Sequence, residues 1–109
     1  MPASKDYLAY ILDQLSDLPG VESRAMMGEY LLYYQGKLIG GLYDNRFLIK
    51  PVPPALALLP DAPLEPPYPG AKPMALVEET DDRALLQTLV RAVADALPAP
   101  KKRGKGNSQ

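Results

Sequence analysis

Nine of the 13 prolines in this 109-residue chain lie between residues 51 and 73. Proline lacks a backbone N–H and fixes φ, so this density excludes a central strand and a long helix from the segment. The segment is also too apolar to be a free linker, because Leu56, Leu58, Leu59, Leu64 and Tyr68 need a surface to pack against. We therefore predict an extended, packed loop over residues 51–73, called the proline-rich segment, with one helical turn over 55–59.

Two amphipathic helices are predicted, one at each end of the chain. Ser4 can cap the first, which runs to about residue 18 with apolar side chains spaced three and four apart and ends at a Pro-Gly pair. Thr80 can cap the second, where two aspartates in the first turn suit the positive end of the helix dipole. The apolar stripe of the second helix consists of Leu86, Leu89, Val90, Val93 and Leu97.

Five strands are predicted, over residues 21–26, 30–34, 37–43, 46–50 and 74–78. Gln35-Gly36 and Asp44-Asn45 are two-residue connections that tolerate the positive φ of tight hairpins, so the second to fourth strands form a meander. At the centre of the third strand, Gly40-Gly41 lets another group approach the backbone closely. The sequence thus predicts an α+β fold, with N- and C-terminal helices packed on a curved antiparallel sheet. The domain spans residues 1–98, and residues 99–109 form a basic tail predicted to be disordered.

The hairpin connections also predict which side chains share a face of the sheet. With Tyr34 opposite Lys37 and Tyr43 opposite Arg46, an uninterrupted ladder sorts the side chains into two sets. The first set carries no charge and should face the helices: Leu31, Tyr33, Leu38, Leu42, Phe47 and Ile49. The second set mixes tyrosines, aliphatic residues and bases: Tyr30, Leu32, Tyr34, Lys37, Ile39, Tyr43, Arg46, Leu48 and Lys50.

The second set has the composition of an interface, because aromatic anchors stand beside charged neighbours. The candidates for partner contact are Tyr30, Tyr34, Lys37, Tyr43, Arg46 and Lys50. This face could bind a protein partner or a second copy of the chain, or stack single-stranded nucleic acid. Alternatively, the proline-rich segment or the tail could cover it.

Charge is distributed unevenly along the chain. Residues 1–100 hold all 13 acids but only eight of the 12 bases, and this acidic body favours a protein partner over nucleic acid. The other four bases form a cluster in the tail and are candidate nucleic-acid contacts: Lys101, Lys102, Arg103 and Lys105. The alternative for the tail is a solvated terminus without a ligand.

Composition argues against catalysis. The chain has no histidine and no cysteine, so its four serines lack the usual activating groups and thiolate chemistry is excluded. Adjacent acids at 78–79 and 81–82 could bind a divalent cation, but acids at a helix N-terminus are favoured without one. We predict no metal, no cofactor and no enzymatic activity. The chain has no apolar run of membrane-spanning length and no signal-peptide pattern, so we expect a cytoplasmic protein.

Three segments together resemble the N-terminal domain of the TfoX/Sxy competence-regulator family. The run Arg24-Ala25-Met26-Met27-Gly28-Glu29-Tyr30-Leu31-Leu32-Tyr33 resembles the family's Arg, any residue, Met, Phe, Gly, Gly, Tyr, Gly, aliphatic, Tyr, with Met27 in place of Phe and Glu29 and Leu31 in place of Gly. The second segment is Gly36-Lys37-Leu38-Ile39 leading through Asp44-Asn45 to Phe47-Leu48-Ile49-Lys50. Tyr68 and Lys72-Pro73-Met74-Ala75 complete a match over about residues 4–97.

The resemblance implies a secretion-chaperone-like α+β fold and a non-catalytic protein that promotes competence-gene transcription through another regulator or RNA polymerase. Arg24, Met27 and Gly28 lie in its most characteristic segment and are candidate contact residues, because an exposed methionine adapts to different partners. Alternatively, Met26 belongs to the core, Arg24 is a charge at the sheet edge, and Gly28 serves only the bend of the chain.

Overall fold

Three helices and six strands make up residues 3–98, the part of the chain that the computed structural model describes. The helices are α1 (Lys5–Gln14), α2 (Pro53–Leu58) and α3 (Arg83–Ala96). The strands are β1 (Val21–Met26), β2 (Glu29–Tyr34), β3 (Lys37–Tyr43), β4 (Arg46–Ile49), β5 (Leu64–Glu65) and β6 (Met74–Val77). The α+β prediction is therefore confirmed. No helix in the described range has the length and apolar character needed to cross a bilayer.

Two-residue turns connect the first four strands into a meander. Met27-Gly28, Gln35-Gly36 and Asp44-Asn45 each have positive φ at both positions, which is the type I′ geometry whose twist matches the flanking strands. All pairings are antiparallel, in the order β1-β2-β3-β4-β6-β5. The predicted strands are confirmed, while β5 escaped prediction because it has only two residues and lies within the proline-rich segment.

The helix ends differ from the predicted ones. Ser4 caps α1 as expected, since its side-chain oxygen accepts the N–H of Tyr7 at 3.0 Å, but α1 ends at Gln14 and the residues up to 18 form turns. Asp82, not Thr80, caps α3 by accepting the N–H of Leu85 at 3.0 Å.

A β-bulge in β3 changes the predicted register. Tyr34 lies opposite Lys37 and Tyr33 opposite Leu38, as predicted, but Leu32 then lies opposite Gly40, so Ile39 has no opposing residue. Because side chains alternate, one extra residue exchanges the two faces on one side of the bulge. The predicted faces are therefore wrong for β2 and for Lys37 and Leu38, the residues of β3 that precede the bulge.

The helices cover one face of the sheet, called the inner face. Its buried side chains are Leu32, Tyr34, Ile39, Leu42, Phe47, Ile49, Ala75 and Val77, which pack against Ile11, Leu15, Leu86, Leu89, Val90 and Val93. Leu42, Phe47 and Ile49 are thus confirmed as core residues. Leu31, Tyr33 and Leu38 were wrongly assigned to the core, and lie half-buried on the opposite, outer face.

Candidate interaction surface

The six residues predicted to form one interaction surface are divided between the two faces. The inner face takes Tyr30, Tyr34 and Lys37. The outer face takes Tyr43, Arg46 and Lys50. The prediction of one shared face is wrong, because the bulge at Ile39 turns β2 over relative to β4.

The three residues on the inner face serve the packing of the monomer. Tyr34 is only 7% exposed, and Tyr30 packs, half-buried, against the core. The Nζ of Lys37 donates a hydrogen bond to the carbonyl oxygen of Ala94 at 2.8 Å. That carbonyl lies in the last turn of α3, where a cation suits the negative end of the helix dipole.

The proline-rich segment covers the outer face where Tyr43 and Arg46 lie, so the alternative expectation of a covered face is confirmed for this part. Tyr43 is 7% exposed, and burial raises the pKa of its hydroxyl, with Tyr68 nearby as a further cause. Arg46 forms an ion pair with Glu65 at 2.9 Å and donates to the carbonyl oxygens of the two prolines that follow Glu65, at 3.3 and 3.2 Å. These bonds hold the segment against the sheet.

The turn between β1 and β2 presents the most exposed of the large apolar side chains in residues 3–98. Met27 stands at its tip and is 95% exposed, and Met26 is 41% exposed. Met26 is therefore not a core residue, and Gly28 has the positive φ of 86° that the turn requires. The guanidinium carbon of Arg24 lies 5.4 Å from the ring centroid of Tyr33, within cation–π range.

A groove of about 610 Å³ opens beside this turn, and we call it the turn groove. The turn forms one wall, residues 66–69 of the proline-rich segment form another, and Asp44 and Arg46 complete the lining with Glu29. Tyr68 on that wall is 58% exposed. Large apolar side chains therefore stand on both walls, and charged groups belong to the same lining.

Hydrogen bonds fix the wall formed by the turn. One carboxylate oxygen of Glu29 accepts the N–H of Ala3 at 2.9 Å and the N–H of Asp44 at 3.1 Å. The N–H of Ser4 donates to the side-chain oxygen of Asn45 at 2.8 Å. The segment before α1 thus ties the two neighbouring turns together.

A second groove of about 380 Å³ also has Tyr68 in its lining. It is lined in part by Leu38, Lys50, Lys72 and Met74. Tyr68 therefore contributes to both grooves.

Sequence reasoning did not select Tyr68 or Tyr33 as contact residues. Tyr68 carried a usable signal, because an aromatic residue between two prolines in a loop has few ways to become buried. Tyr33 was assigned to the core, and only the bulge moves it to the outer face. The selected residues Arg24, Met27 and Gly28 do lie together near the turn.

Comparison with known proteins gives one family relationship. The chain is 38% identical over 104 residues to an uncharacterized 12.7 kDa protein in the trpE 5′ region of Spirochaeta aurantia, and the alignment covers 94% of this chain and 90% of that protein. The chain belongs to the family of that protein. No family model matches the chain, and no solved structure matches it.

The remaining site predictions concern the basic tail, a metal ion and nucleic acid. The tail bases Lys101, Lys102, Arg103 and Lys105 lie outside the described residues. Within residues 3–98, no group of three acids is close enough together to hold a metal ion. The aromatic and basic face proposed for stacking nucleic acid does not exist as one surface, because Tyr34 and Tyr43 are buried on opposite faces.

Proposed function

We propose that this chain is a non-catalytic protein-interaction module of the TfoX N-terminal type, and that it binds a partner protein through the turn groove. The observation that carries the proposal is the exposure of Met27 at the tip of a two-residue turn, in a groove that the exposed Tyr68 also lines. Methionine and tyrosine are enriched where proteins bind one another.

The position of Met27 supports a role beyond turn formation. Its φ of 53° is one that Asn, Asp and Gly adopt at lower cost, and these residues dominate type I′ turns. A large apolar side chain at this site gains nothing from burial in the monomer, since it is almost fully exposed. Such a side chain is explained if burial occurs in a complex.

The groove also has the charge pattern of a protein interface. Glu29, Asp44 and Arg46 belong to the lining of the groove, so they can select a partner while the apolar side chains supply contact area. Met27 is flexible and fits partners of different shape.

Resemblance and composition supply the rest of the proposal. Segment 24–33, which resembles the TfoX/Sxy family, contributes Met27, Gly28 and Glu29 to the lining of the groove, and the resemblance supports a partner in the transcription machinery. A cytoplasmic location is part of the same proposal. The lack of histidine and cysteine supports a binding role, since the serines have no activating group.

Crosslinking in cells of the organism that naturally makes this protein tests the proposal. A photo-reactive benzophenone amino acid is placed at position 27, and at the exposed position 88 on α3 as the control. We expect a discrete crosslinked protein from position 27 and not from position 88. Absence of a crosslink specific to position 27 would contradict the proposal.

The captured partner is then purified and titrated against two variants. Met27→Asn removes the apolar side chain and suits the type I′ turn, so the fold is kept or stabilised. We expect it to weaken binding about tenfold or more, as for a central interface residue. Leu58→Gln, on the exposed side of α2, should leave the affinity unchanged. Equal weakening of binding by both variants, or no weakening by either, would exclude the turn groove as the binding site.

A further inference from the structure

One edge of the sheet is long and open. β1 forms this edge with six residues, five of them exposed and Val21 half-buried, whereas β5 at the other edge has only two residues. An exposed edge presents unpaired backbone N–H and C=O groups that can pair with another strand. This edge is therefore a candidate site for pairing between two copies of the chain, and it is separate from the turn groove.

The register shows which backbone groups of β1 are unpaired. The N–H of Gln35 donates to the carbonyl of Gly20 at 3.0 Å, so these two residues form a hydrogen-bonded pair. Hydrogen-bonded and non-bonded pairs alternate along an antiparallel ladder, so Glu22, Arg24 and Met26 direct their groups to β2. The N–H and C=O groups of the alternate residues Val21, Ser23 and Ala25 therefore point away from β2, toward the open edge of the sheet.

The side chains of these alternate residues are small enough for a second strand to approach. Ser23 and Ala25 are exposed on the helix side of the sheet, which shows that no helix of the monomer covers them. Glu22 and Arg24 alternate with them on the outer face. Charged side chains on an edge strand usually discourage pairing, but here the two signs alternate around Ser23 and can complement each other.

Charge selects one register for pairing with a second copy. If Ser23 lies opposite Ser23 of the second copy, then Glu22 lies opposite Arg24 and Val21 opposite Ala25. A shift of two residues in either direction places Glu22 opposite Glu22, or Arg24 opposite Arg24, and like charges directly opposite each other are destabilising. Odd shifts would bring unpaired groups against groups already bonded to β2.

We propose that two copies of this chain pair antiparallel through β1, with Ser23 on the two-fold axis, and join their six-stranded sheets into one. The three outward residues of each strand form pairs that exchange two backbone bonds each, or about six in all. The two Glu22–Arg24 pairs on the outer face fix the register.

A cysteine scan tests the axis directly, since the native chain has no cysteine. Residues opposite each other in a hydrogen-bonded pair have Cα atoms about 5.5 Å apart, which a disulfide can span. Ser23→Cys should therefore form a disulfide dimer under mild oxidation, seen on a non-reducing gel. In Glu22→Cys and Arg24→Cys the two thiols are offset by two residues, about 7 Å along the strand, and in Ala25→Cys by twice that distance.

We expect dimer yield from Ser23→Cys to exceed the yield from each of the other three variants at least about fivefold. A maximum at position 22 or 24 would mean the wrong register, and equal yields at all four positions would mean random collision. Either result, or the absence of dimer from every variant, overturns the proposal. Met27→Asn leaves this edge intact, so its effect on partner binding is judged separately.

Charge exchange gives a second, reversible test by light scattering on the protein without added cysteine. Glu22→Arg places arginine opposite arginine twice in the dimer, so we expect the association constant to fall about tenfold or more. The double variant with Glu22→Arg and Arg24→Glu restores opposite charges and should return the constant to within about threefold. Far-ultraviolet circular dichroism checks that each variant folds. Failure of the double variant to recover association, with its fold intact, would contradict the proposed register.

Discussion

Gly40 lies so close to Leu48 that a β-carbon on it would collide with the Leu48 carbonyl oxygen. Gly40 follows the bulged residue Ile39 and lies opposite Leu32 in β2 and Ile49 in β4. The close approach involves backbone atoms, which cannot move aside as a flexible side chain can. A glycine at position 40 is therefore a condition for the bulge, and the bulge decides which tyrosines are buried.

Gly40→Ala should destabilise the protein severely, by about 3 kcal/mol or more, because overpacking against backbone forces strand β4 to shift. Chemical denaturation monitored by circular dichroism measures this change. Gly70→Ala is the matched control, since no atom lies within 4 Å of its β-carbon position and only the positive φ of 89° is strained. That variant should lose only about 1 kcal/mol. Equal losses of stability in the two variants would mean that the close contact with Leu48 is not the cause of the loss at position 40.

Lys37→Met should remove the hydrogen bond to the last turn of α3 while keeping most of the apolar stem. We expect a loss of about 1 kcal/mol in the free energy of unfolding, in the range for a charged group at a helix C-terminus. Lys72→Met, at an exposed position in the proline-rich segment, should change stability by less than about 0.5 kcal/mol. A stable Lys37→Met protein would show that this lysine is dispensable for folding and free for another role.

Turns and periodicity made most of the elements predictable. Gln35-Gly36 and Asp44-Asn45 have the chemistry of tight turns, and the apolar stripe of α3 repeats at the helical period, so their positions followed from local sequence. The predicted cap at Thr80 was wrong because Asp81 and Asp82, which follow it, are equally good caps, and local sequence does not choose among the three.

The faces of β2 could not be predicted without knowing that Ile39 is bulged. A ladder without interruption and one with a single extra residue fit the same turns, and they bury opposite sets of side chains. Gly40-Gly41 indicated close approach to the backbone, which is confirmed, because the Tyr43 ring lies against Gly41 as the Leu48 backbone lies against Gly40. The predicted interaction surface was wrong for the same reason, since the face of the sheet on which Tyr34 lies depends on this register.

Arg46→Met should loosen the proline-rich segment from the outer face. It removes the ion pair with Glu65 and the two hydrogen bonds to proline carbonyls. We expect a stability loss of about 1–2 kcal/mol and faster hydrogen exchange at the N–H of Leu76, which donates to the Pro63 carbonyl. Arg91→Met, at an exposed position on α3, is the control and should alter neither quantity. Unchanged exchange at Leu76 would mean that the other contacts hold the segment.

Alkaline pH should destabilise the protein partly through Tyr43. Burial raises the pKa of this hydroxyl above its ordinary value, so the folded state binds the proton more tightly than the unfolded state. Its contribution to stability is complete below the unfolded pKa of about 10 and is lost as pH rises through the folded pKa. Denaturation at a series of pH values should give a shallower alkaline decline for Tyr43→Phe than for wild type. Tyr68→Phe removes a smaller cause of the raised pKa of Tyr43 and should give a slope between those of wild type and Tyr43→Phe. The same slope for wild type and Tyr43→Phe would exclude Tyr43 as a source of the decline.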